Sequence, residues 1–316
     1  MKHLILIMLM CAFSLAASAQ ARGGQIKRKS ASDLQHSTTS QSNSKSNRVI
    51  YPPRDEVFIS DAVLPAKGQL NLSDVHYKLL PSPNFSGHIL KRDYKRHQIV
   101  LKEISFKPNN ITDDQVWFKE HGFKTNWESL GSNYEEYGLL GRVTTGGYHV
   151  LLFGIHNEPL KVIVTDQSEK ILYVAYDFDN FRLSPKTKKD TSYPNQWVSE
   201  IEIEGNIMYV SHGGGGYSNE FGYQTGYISA INILTDEIIW TTPPMTNNSS
   251  KIAIVGNSII AGYGFTAEPD FLYVIDKYCG QRVQKIPVKT AADYIYVKGQ
   301  YAYVRTYDSD YIFEIK

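Results

Sequence analysis

The stretch WVSEIEIEGNIMYVSH, residues 197–212, alternates apolar and polar residues on both sides of a pair that contains glycine. Alternation with a period of two indicates a β-strand, and a two-residue glycine turn between two such runs indicates a β-hairpin. The pattern returns as SKIAIVGNSIIAGYG at residues 250–264 and as DYIYVKGQYAYVRTYD at residues 293–308. The sequence therefore predicts a hairpin that repeats along the chain.

The turn glycines set the period of this repeat. Gly205, Gly256 and Gly299 are 51 and 43 residues apart, and Gly147 in TTGGYHVLLFG extends the series upstream at a looser spacing. A period of about 40 to 50 residues is typical of four-stranded units arranged around a centre, as in β-propellers. We therefore expect an all-β fold built from such units.

Each hairpin is followed by further strand-like sequence. Residues 159–178, 226–243 and 270–288 each hold a second pair of strands, whereas SDYIFEIK, residues 309–316, holds one. This predicts a β-propeller of four-stranded antiparallel blades, about six in number, with five and seven also open. The last blade lacks a fourth strand, and we expect an N-terminal strand to fill that position, because ring closure removes an exposed edge.

The upstream region, residues 50–137, is less regular, whereas clear blades occupy residues 138–316. GHILKRDYKRHQIVLKEISF, residues 87–106, has the form of a third and fourth strand, with Asp93 placed like Asp276. Alternation weakens from Ile111 onward, which leaves room for a helical insertion. We therefore predict N-terminal propeller strands in this region.

The N-terminus has the features of an export signal. Residues 1–19 contain a basic start, an apolar stretch and an A-x-A ending, as in a cleaved signal peptide. Residues 20–49, rich in Ser, Lys and Gln, lack the apolar side chains that offset ordering entropy and predict a disordered spacer. Later residues contain no apolar run long enough for a membrane helix. The expected location is the periplasm or the extracellular space.

Composition narrows the classes of partner. The chain has 33 Lys and Arg against 32 Asp and Glu, so no net positive field would attract nucleic acid. Cleavage of the signal would leave Cys279 as the single cysteine, so no internal disulfide is expected. The histidines show none of the short spacings of zinc motifs, and we predict neither a metal nor a cofactor.

One turn carries a resemblance to a known family. AINILTDEIIW, residues 230–240, resembles the repeat of pyrroloquinoline-quinone-type propellers, with Ala230, Thr235 and Trp240 at matching positions. Asn232 stands where the repeat has Asp, and Asp236 stands where it has Gly. The resemblance implies a propeller whose Trp fills the gap between blades. Quinoprotein dehydrogenases also carry a vicinal cysteine pair, which this sequence does not contain, so the resemblance implies a non-enzymatic member.

The four glycines in SHGGGGYSNEFGYQTGY, residues 211–227, allow several interpretations. An esterase oxyanion loop requires a G-x-S-x-G nucleophile elbow, which the sequence does not contain. A phosphate loop requires Lys followed by Ser or Thr after the glycines, which is also absent. The run therefore connects the second and third strands of a blade, either as a flexible connector or as a loop that contacts a ligand.

Loops between second and third strands share one face of a propeller, and that face predicts the ligand site. Aromatic and polar side chains above a concave centre suit a protein, peptide or glycan ligand. The predicted ligand-binding residues are His156, Asn157, His212, Tyr217, Asn219, Glu220, Phe221, Tyr263, Phe265, Glu268, Tyr307 and Asp308, with Tyr223 in the same loop.

The sequence does not decide whether the protein is an enzyme. The leading hypothesis is an exported propeller that acts as a binding or scaffolding module without catalysis of its own. The alternative is a glycan hydrolase or lyase, in which carboxylates such as Glu200, Glu202 and Glu204, on one face of a strand, would line the channel. A quinone-dependent dehydrogenase is the third hypothesis. No catalytic residue is predicted, and oligomeric state stays open.

Overall fold

The computed structural model describes residues 78–79, 87–109, 113–131, 138–169, 172–178 and 197–316. These residues belong to the second of the two units into which the chain divides, residues 50–316. The predicted signal peptide at residues 1–19 and the predicted spacer at residues 20–49 lie outside the described residues.

The described strands form four sheets, three of which are four-stranded and antiparallel. Sheet I contains β1 (Lys78–Leu79), β3 (Trp127–Ser129), β4 (Gly138–Thr145), β5 (Tyr148–Ile155), β6 (Glu158–Asp166) and β7 (Leu172–Asp177). Sheet II contains β8 (Trp197–Glu204), β9 (Ile207–Gly213), β10 (Tyr227–Asn232) and β11 (Glu237–Thr241).

The remaining two sheets follow in chain order, and two short helices accompany the strands. Sheet III contains β12 (Ala253–Val255), β13 (Ser258–Phe265), β14 (Glu268–Asp276) and β15 (Arg282–Pro287). Sheet IV contains β16 (Ala292–Lys298), β17 (Tyr301–Thr306), β18 (Ser309–Ile315) and β2 (Leu101–Pro108). The helices are α1 (Asp114–His121) and the 3₁₀ helix η1 (Ser218–Phe221).

The repeated hairpins form as predicted. Gly205, Gly256 and Gly299 lie in the tight turns β8–β9, β12–β13 and β16–β17, with φ values of 62°, 53° and 61°. Positive φ is the conformation that two-residue hairpin turns of this kind require, and glycine adopts it without a Cβ clash. The periodic glycines therefore mark the first hairpin of each of sheets II, III and IV.

The predicted closing strand is also present. β2 pairs antiparallel with β18, and the register places Phe106 opposite Tyr311 and Leu101 opposite Ile315. A strand from the N-terminal part of the described chain thus completes the sheet that contains the C-terminal residues. This pairing covers the edge of β18, which the three consecutive strands of sheet IV would otherwise leave exposed.

Apolar layers between neighbouring sheets form the core. One layer lies between sheets I and II, a second between II and III, and a third between III and IV. Trp240 of β11 is buried in the second layer, and its Nε1 donates to the carbonyl oxygen of Lys277 in sheet III at 3.1 Å. The tryptophan therefore fills the gap between two sheets, as the family resemblance implied. This arrangement of sheets is consistent with a β-propeller.

Helix α1 lies against sheet IV, and the residues after it connect to sheet I. The ring of Phe118 contacts Tyr294 edge to face at 4.8 Å, and Phe123 stacks on Tyr296 at 4.5 Å. Downstream, the carbonyl oxygen of Asn126 accepts a hydrogen bond from the amide of Thr144 in β4. The chain thus links the last sheet in sequence to the first.

The prediction of a strand pair at residues 87–106 is wrong in its first half. Residues 87–100, here called the outer segment, run from an isolated bridge between His88 and Thr241 of sheet II to β2 of sheet IV. On the way, Gln98 Nε2 donates to Asp276 Oδ2 at 2.8 Å, and the amide of Ile99 donates to Ser258 Oγ at 3.0 Å. The segment bonds mainly to atoms of sheet III, and although it turns at residues 93–96, its two halves do not pair as strands.

The described residues form four sheets, and the number of blades in the whole chain stays a prediction. The helical insertion that the sequence allowed from Ile111 onward is present as α1, which precedes the short β3. α1 has Asp113 as its N-cap, whose side chain accepts a hydrogen bond from the amide of Gln115, and it ends at Gly122 with φ 70°. These capping residues favour a helix over a strand locally.

Replacing Gly280 by Ala tests how closely sheets II and III pack. Gly280 has φ 76°, and a Cβ there would lie 2.7 Å from the ring of Trp240. Gly205 has a similar φ of 62° but nothing within 4 Å of its Cβ position. We expect Gly280→Ala to lower the free energy of unfolding by roughly 1 to 3 kcal/mol more than the control Gly205→Ala in urea titrations. Equal losses would show that the ring does not press on this turn.

Candidate functional site

The glycine run is packed against aromatic rings. A Cβ at Gly214 would lie 1.8 Å from the ring of Phe221, and one at Gly215 would lie 2.3 Å from the ring of Trp197. The side chain of Thr225 accepts the amide hydrogen of Gly214 at 2.8 Å. The glycines are thus needed because two rings lie directly on the loop backbone, and the loop is not a loose connector.

Two predicted site residues of this region are buried. His212 is fully buried, its Nε2 lies 2.9 Å from Ser229 Oγ, and its ring stacks on that of Tyr227. Burial lowers the pKa of His212 to about 3, so the imidazole is neutral at physiological pH. Phe221 is buried in the same way beneath Gly214. Both side chains support the loop from below and do not reach its outer surface.

Four of the predicted residues come together between sheets II and III. The rings of Tyr217 and Phe265 meet edge to face at 4.6 Å. Glu268 Oε1 accepts the amide hydrogen of Ser218 at 2.6 Å, and Glu268 Oε2 accepts the hydroxyl hydrogen of Tyr263 at 3.0 Å. Burial and the neighbouring carboxylate raise the pKa of Tyr263, which keeps its phenol protonated as the donor. The β9–β10 loop and the β13–β14 turn therefore form one surface.

Two carboxylates extend this surface toward sheet IV. Asp308 in the β17–β18 turn accepts hydrogen bonds from Thr290 and Ser309 and pairs with Lys289 Nζ at 2.7 Å, and the Lys289 bond is the main reason that its pKa is lowered. Partial burial, with Asp308 and Glu268 nearby, raises the pKa of Asp270 to about 6. Asp270 of sheet III and Asp308 of the β17–β18 turn are therefore close enough for their charges to interact.

The other predicted residues are at the surface. His156 and Asn157 form the two-residue β5–β6 turn with φ values of 56° and 60° and are exposed. Among the described residues, no hydrogen bond, ion pair or ring contact joins them to the surface between sheets II and III. The following are also exposed: Asn219, Glu220, Tyr223 and Tyr307. We call the exposed or half-buried residues of the four connections between second and third strands, together with the adjoining strand ends that include Phe265, Glu268 and Asp270, the loop face.

A second cluster lies where first strands of the sheets meet, and its central residue was not predicted. Lys251 Nζ, just before β12, lies 2.9 Å from Glu200 Oε1 and also pairs with Glu202 Oε1. Glu202 Oε2 accepts the hydroxyl hydrogen of Thr145 in β4 at 2.7 Å. A cavity of about 330 Å³ beside this cluster is lined by residues of β8, β12 and β16, including Tyr296. We call these groups the Lys251 cluster.

The Lys251 cluster is an ion network with two carboxylates around one cation. Burial raises the pKa of Glu200, despite the opposing effect of Lys251. Burial alone would lower the pKa of Lys251, but the two carboxylates hold it above its ordinary value. Glu204, the third carboxylate of the strand, is half exposed and pairs with Lys277 at 2.6 Å instead. The predicted row of three glutamates is thus divided between two cations.

Within the described residues, no group of three or more His, Cys, Asp or Glu side chains is arranged to hold a metal ion. The same part of the chain has no helix that is long and apolar enough to cross a membrane. Cys279 is a buried thiol whose pKa is raised by burial.

Comparisons with known proteins give structural likenesses only. No protein-family model matches the chain, and no curated protein matches it. The computationally designed protein Ika4 is 13% identical, covers 60% of this chain and 96% of its own, and has a TM-score of 0.36. BamB from Moraxella catarrhalis is 10% identical over 60% of this chain and 70% of its own, with a TM-score of 0.28. A chain of the mitotic checkpoint complex is 8% identical over 54% and 58%, with a TM-score of 0.29. At these values we draw no conclusion about function.

Replacing Lys251 by Met tests the ion network. Glu200 and Glu202 would lose their cation while partly or fully buried, and removing one partner of a buried pair costs about 3 to 5 kcal/mol. Burial raises the folded-state pKa of the Glu200 carboxyl group above its unfolded value. Losing the cation therefore costs most at high pH, where Glu200 is ionised, and the loss shrinks as the pH falls toward the unfolded pKa. We expect urea titrations to show a larger loss at pH 8 than at pH 5.

A surface pair provides the control for this variant. Lys289 and Asp308 form an ion pair in which the lysine side chain is 52% exposed. Lys289→Met should therefore cost less than about 1 kcal/mol, with little difference between the two pH values. Equal losses at pH 5 and pH 8 in Lys251→Met would contradict a buried network that depends on carboxylate ionisation.

Proposed function

We propose that this protein is an exported β-propeller that binds a ligand with its loop face and serves as a binding or scaffolding module without catalysis of its own. The expected location is the periplasm or the extracellular space, on the basis of the signal-like sequence at residues 1–19. The proposal takes sheets I to IV as blades, and it treats the chain as a non-enzymatic relative of pyrroloquinoline-quinone-type propellers because of the sequence around Trp240.

The observation that carries this proposal is the joining of two loops from different sheets into one ordered surface. Glu268 binds both the backbone of η1 and the hydroxyl group of Tyr263, and Tyr217 packs on Phe265. A surface that is already ordered loses less conformational entropy when a ligand binds, so more of the contact energy remains for affinity. The loop is fixed from below by the packed glycines and the buried His212.

The chemistry of the loop face favours a protein or peptide ligand, with a glycan as the other class. Tyr223 and Tyr307 are 61% and 60% exposed, and tyrosine gives large contact areas with a hydroxyl group for hydrogen bonds. Glu220, Asp270 and Asp308 add carboxylates around them. Such a surface complements ligands that offer apolar area together with hydrogen-bond donors or positive charge.

A glycan hydrolase or lyase is the second candidate, because Glu200 and Glu202 lie close together and burial raises the pKa of one of them. Both carboxylates, however, pair with Lys251, which occupies the position between them. Charge pairing of this kind supports a structural role for the cluster. A quinone-dependent dehydrogenase remains the third candidate, and the experiment below includes its cofactor.

A thermal-shift screen of the purified mature chain tests the proposal. The probes are a peptide library graded from acidic to basic, a glycan library, and pyrroloquinoline quinone with calcium, because a ligand that binds only the native state raises the melting temperature. We expect a peptide or glycan to raise it, and we expect the shift to disappear in the double variant Tyr217→Ala, Tyr307→Ala. Tyr94→Ala, which removes a 77% exposed tyrosine from the outer segment, is the control and should keep the shift.

Three outcomes would contradict the proposal. A shift with quinone and calcium would indicate an oxidoreductase. Turnover of a bound glycan that is lost in Glu200→Gln would indicate a hydrolase or lyase. A shift that persists in the double tyrosine variant and disappears in Tyr94→Ala would place the ligand outside the loop face.

A further inference from the structure

The outer segment carries a local concentration of positive charge that the balanced composition of the whole chain conceals. Residues 91–97 read KRDYKRH and hold two lysines, two arginines and one aspartate, whereas the chain as a whole has 33 basic and 32 acidic residues. All seven are exposed except Arg92, which is half-buried. Charge of one sign on a short exposed stretch produces a local field even where the net charge is near zero.

This stretch has a fixed position beside the β14–β15 turn of sheet III. Arg92 Nε lies 3.6 Å from Oδ2 of the buried Asp276, which neutralises its charge. The guanidinium carbon of Arg96 lies over the ring of Tyr278, 4.3 Å from the ring centroid. A surface that is held in this way loses little conformational entropy when a partner binds.

The remaining cations of the stretch are available to an outside anion. Arg96 pairs with Asp93 at 3.7 Å, but both side chains are nearly half exposed, and solvated pairs of this kind are weak. Lys91 and Lys95 form no ion pair within the described part of the chain. The stretch therefore presents three cations to solvent.

Exposed aromatic rings adjoin these cations. Tyr94 is 77% exposed, the largest value among the exposed large hydrophobic residues of the described chain, and Tyr278 is 41% exposed. Tyrosine combines an apolar ring with a polar hydroxyl group and is enriched at boundaries between water and an apolar phase. We call this group the basic patch, which consists of Lys91, Arg92, Tyr94, Lys95, Arg96 and Tyr278.

The basic patch lies at the end of sheet III opposite the loop face. β13 begins at Ser258, which bonds to the outer segment, and ends at Phe265 in the loop face. β14 returns from Glu268 in the loop face to Asp276 beside the patch. At about 3.3 Å per residue, the two ends of β13 are roughly 23 Å apart. A partner on the basic patch would thus leave the loop face free.

We propose that the basic patch docks the protein on the surface of an anionic lipid bilayer. Lys91, Lys95 and Arg96 pair with lipid phosphate groups, and the rings of Tyr94 and Tyr278 lie among the headgroups. Attraction to anionic lipids adds to the burial of apolar area in such contacts. A bilayer fits better than an acidic peptide because the patch has no groove: the cavities of about 260 and 330 Å³ in the described part of the chain are lined by other residues.

Co-sedimentation of the purified mature chain with lipid vesicles tests this proposal. The vesicles contain phosphatidylcholine alone or with an increasing fraction of phosphatidylglycerol. We expect the bound fraction of protein to rise with the phosphatidylglycerol content, and to fall when salt is added, because salt screens interactions between exposed charges. Vesicles of phosphatidylcholine alone should bind little protein.

Variants of the patch locate the contact. The triple variant Lys91→Gln, Lys95→Gln, Arg96→Gln removes the three solvent-facing cations and should weaken vesicle binding at least about tenfold. Tyr94→Ala removes the most exposed ring and should weaken binding less, without changing its dependence on salt. Urea titrations of both variants show whether the fold is kept.

Two charge-matched controls separate the patch from other cations. One replaces three exposed lysines outside the patch by Gln, namely Lys107, Lys285 and Lys289. The other replaces residues 27–29, Lys-Arg-Lys in the predicted spacer, by Gln. Each control removes as many positive charges as the patch variant, and each should keep most of the vesicle binding.

Four results would overturn the proposal. They are a folded protein that sediments with no anionic vesicle, equal binding to neutral and anionic vesicles, undiminished binding by the patch triple variant, and binding to a polyglutamate peptide but not to vesicles. The loop face is a separate surface, so failure here would leave the proposed function untouched. The double variant Tyr217→Ala, Tyr307→Ala should bind vesicles normally.

Discussion

The pairing of β2 with β18 is the interaction on which the rest of the structure depends. It joins residues that are about 200 positions apart in the sequence, and closing so long a loop costs only modestly more entropy than closing a shorter one. Leu101 and Phe313 bring the ladder into the apolar layer between sheets III and IV. Because β2 is held there, the chain that follows it places α1 on Tyr294 and Tyr296 and then enters sheet I. The last sheet in sequence is thereby linked to the first.

This closure explains why two different sets of side chains come together. The sheets have the same strand order and pack one after another, so their connections between second and third strands all lie on one side. These connections and the adjoining strand ends form the loop face, where Tyr217, Phe265 and Glu268 come together. The same order brings first strands toward a common centre, where Lys251 meets Glu200 and Glu202. The loops are then available for binding, because the ion network and the interleaved apolar layers already hold the sheets together.

The sequence was sufficient for the hairpins, since alternation and turn glycines are local signals, and it also indicated the closing strand and the buried position of Trp240. It misled at Asp93. That side chain accepts a hydrogen bond from the amide of Lys95, as Asp276 does from Tyr278, so the same local turn occurs once between strands and once without them. It also missed Lys251, although Glu200 and Lys251 both lie five residues before a turn glycine and so share a position in the repeat.

The most direct test of this account is a cross-strand disulfide between β2 and β18. The register places Ser105 opposite Ile312, and residues that face each other in neighbouring strands have Cβ atoms about 4.5 to 5.5 Å apart, close enough to be joined with small adjustments. We predict that the variant Ser105→Cys, Ile312→Cys forms this bond under mild oxidation and that the bond raises the melting temperature, whereas the out-of-register pair Lys102→Cys, Ile312→Cys stays reduced. Failure of the first pair to oxidise in the folded protein, or equal oxidation of both pairs, would contradict a fold closed by this ladder.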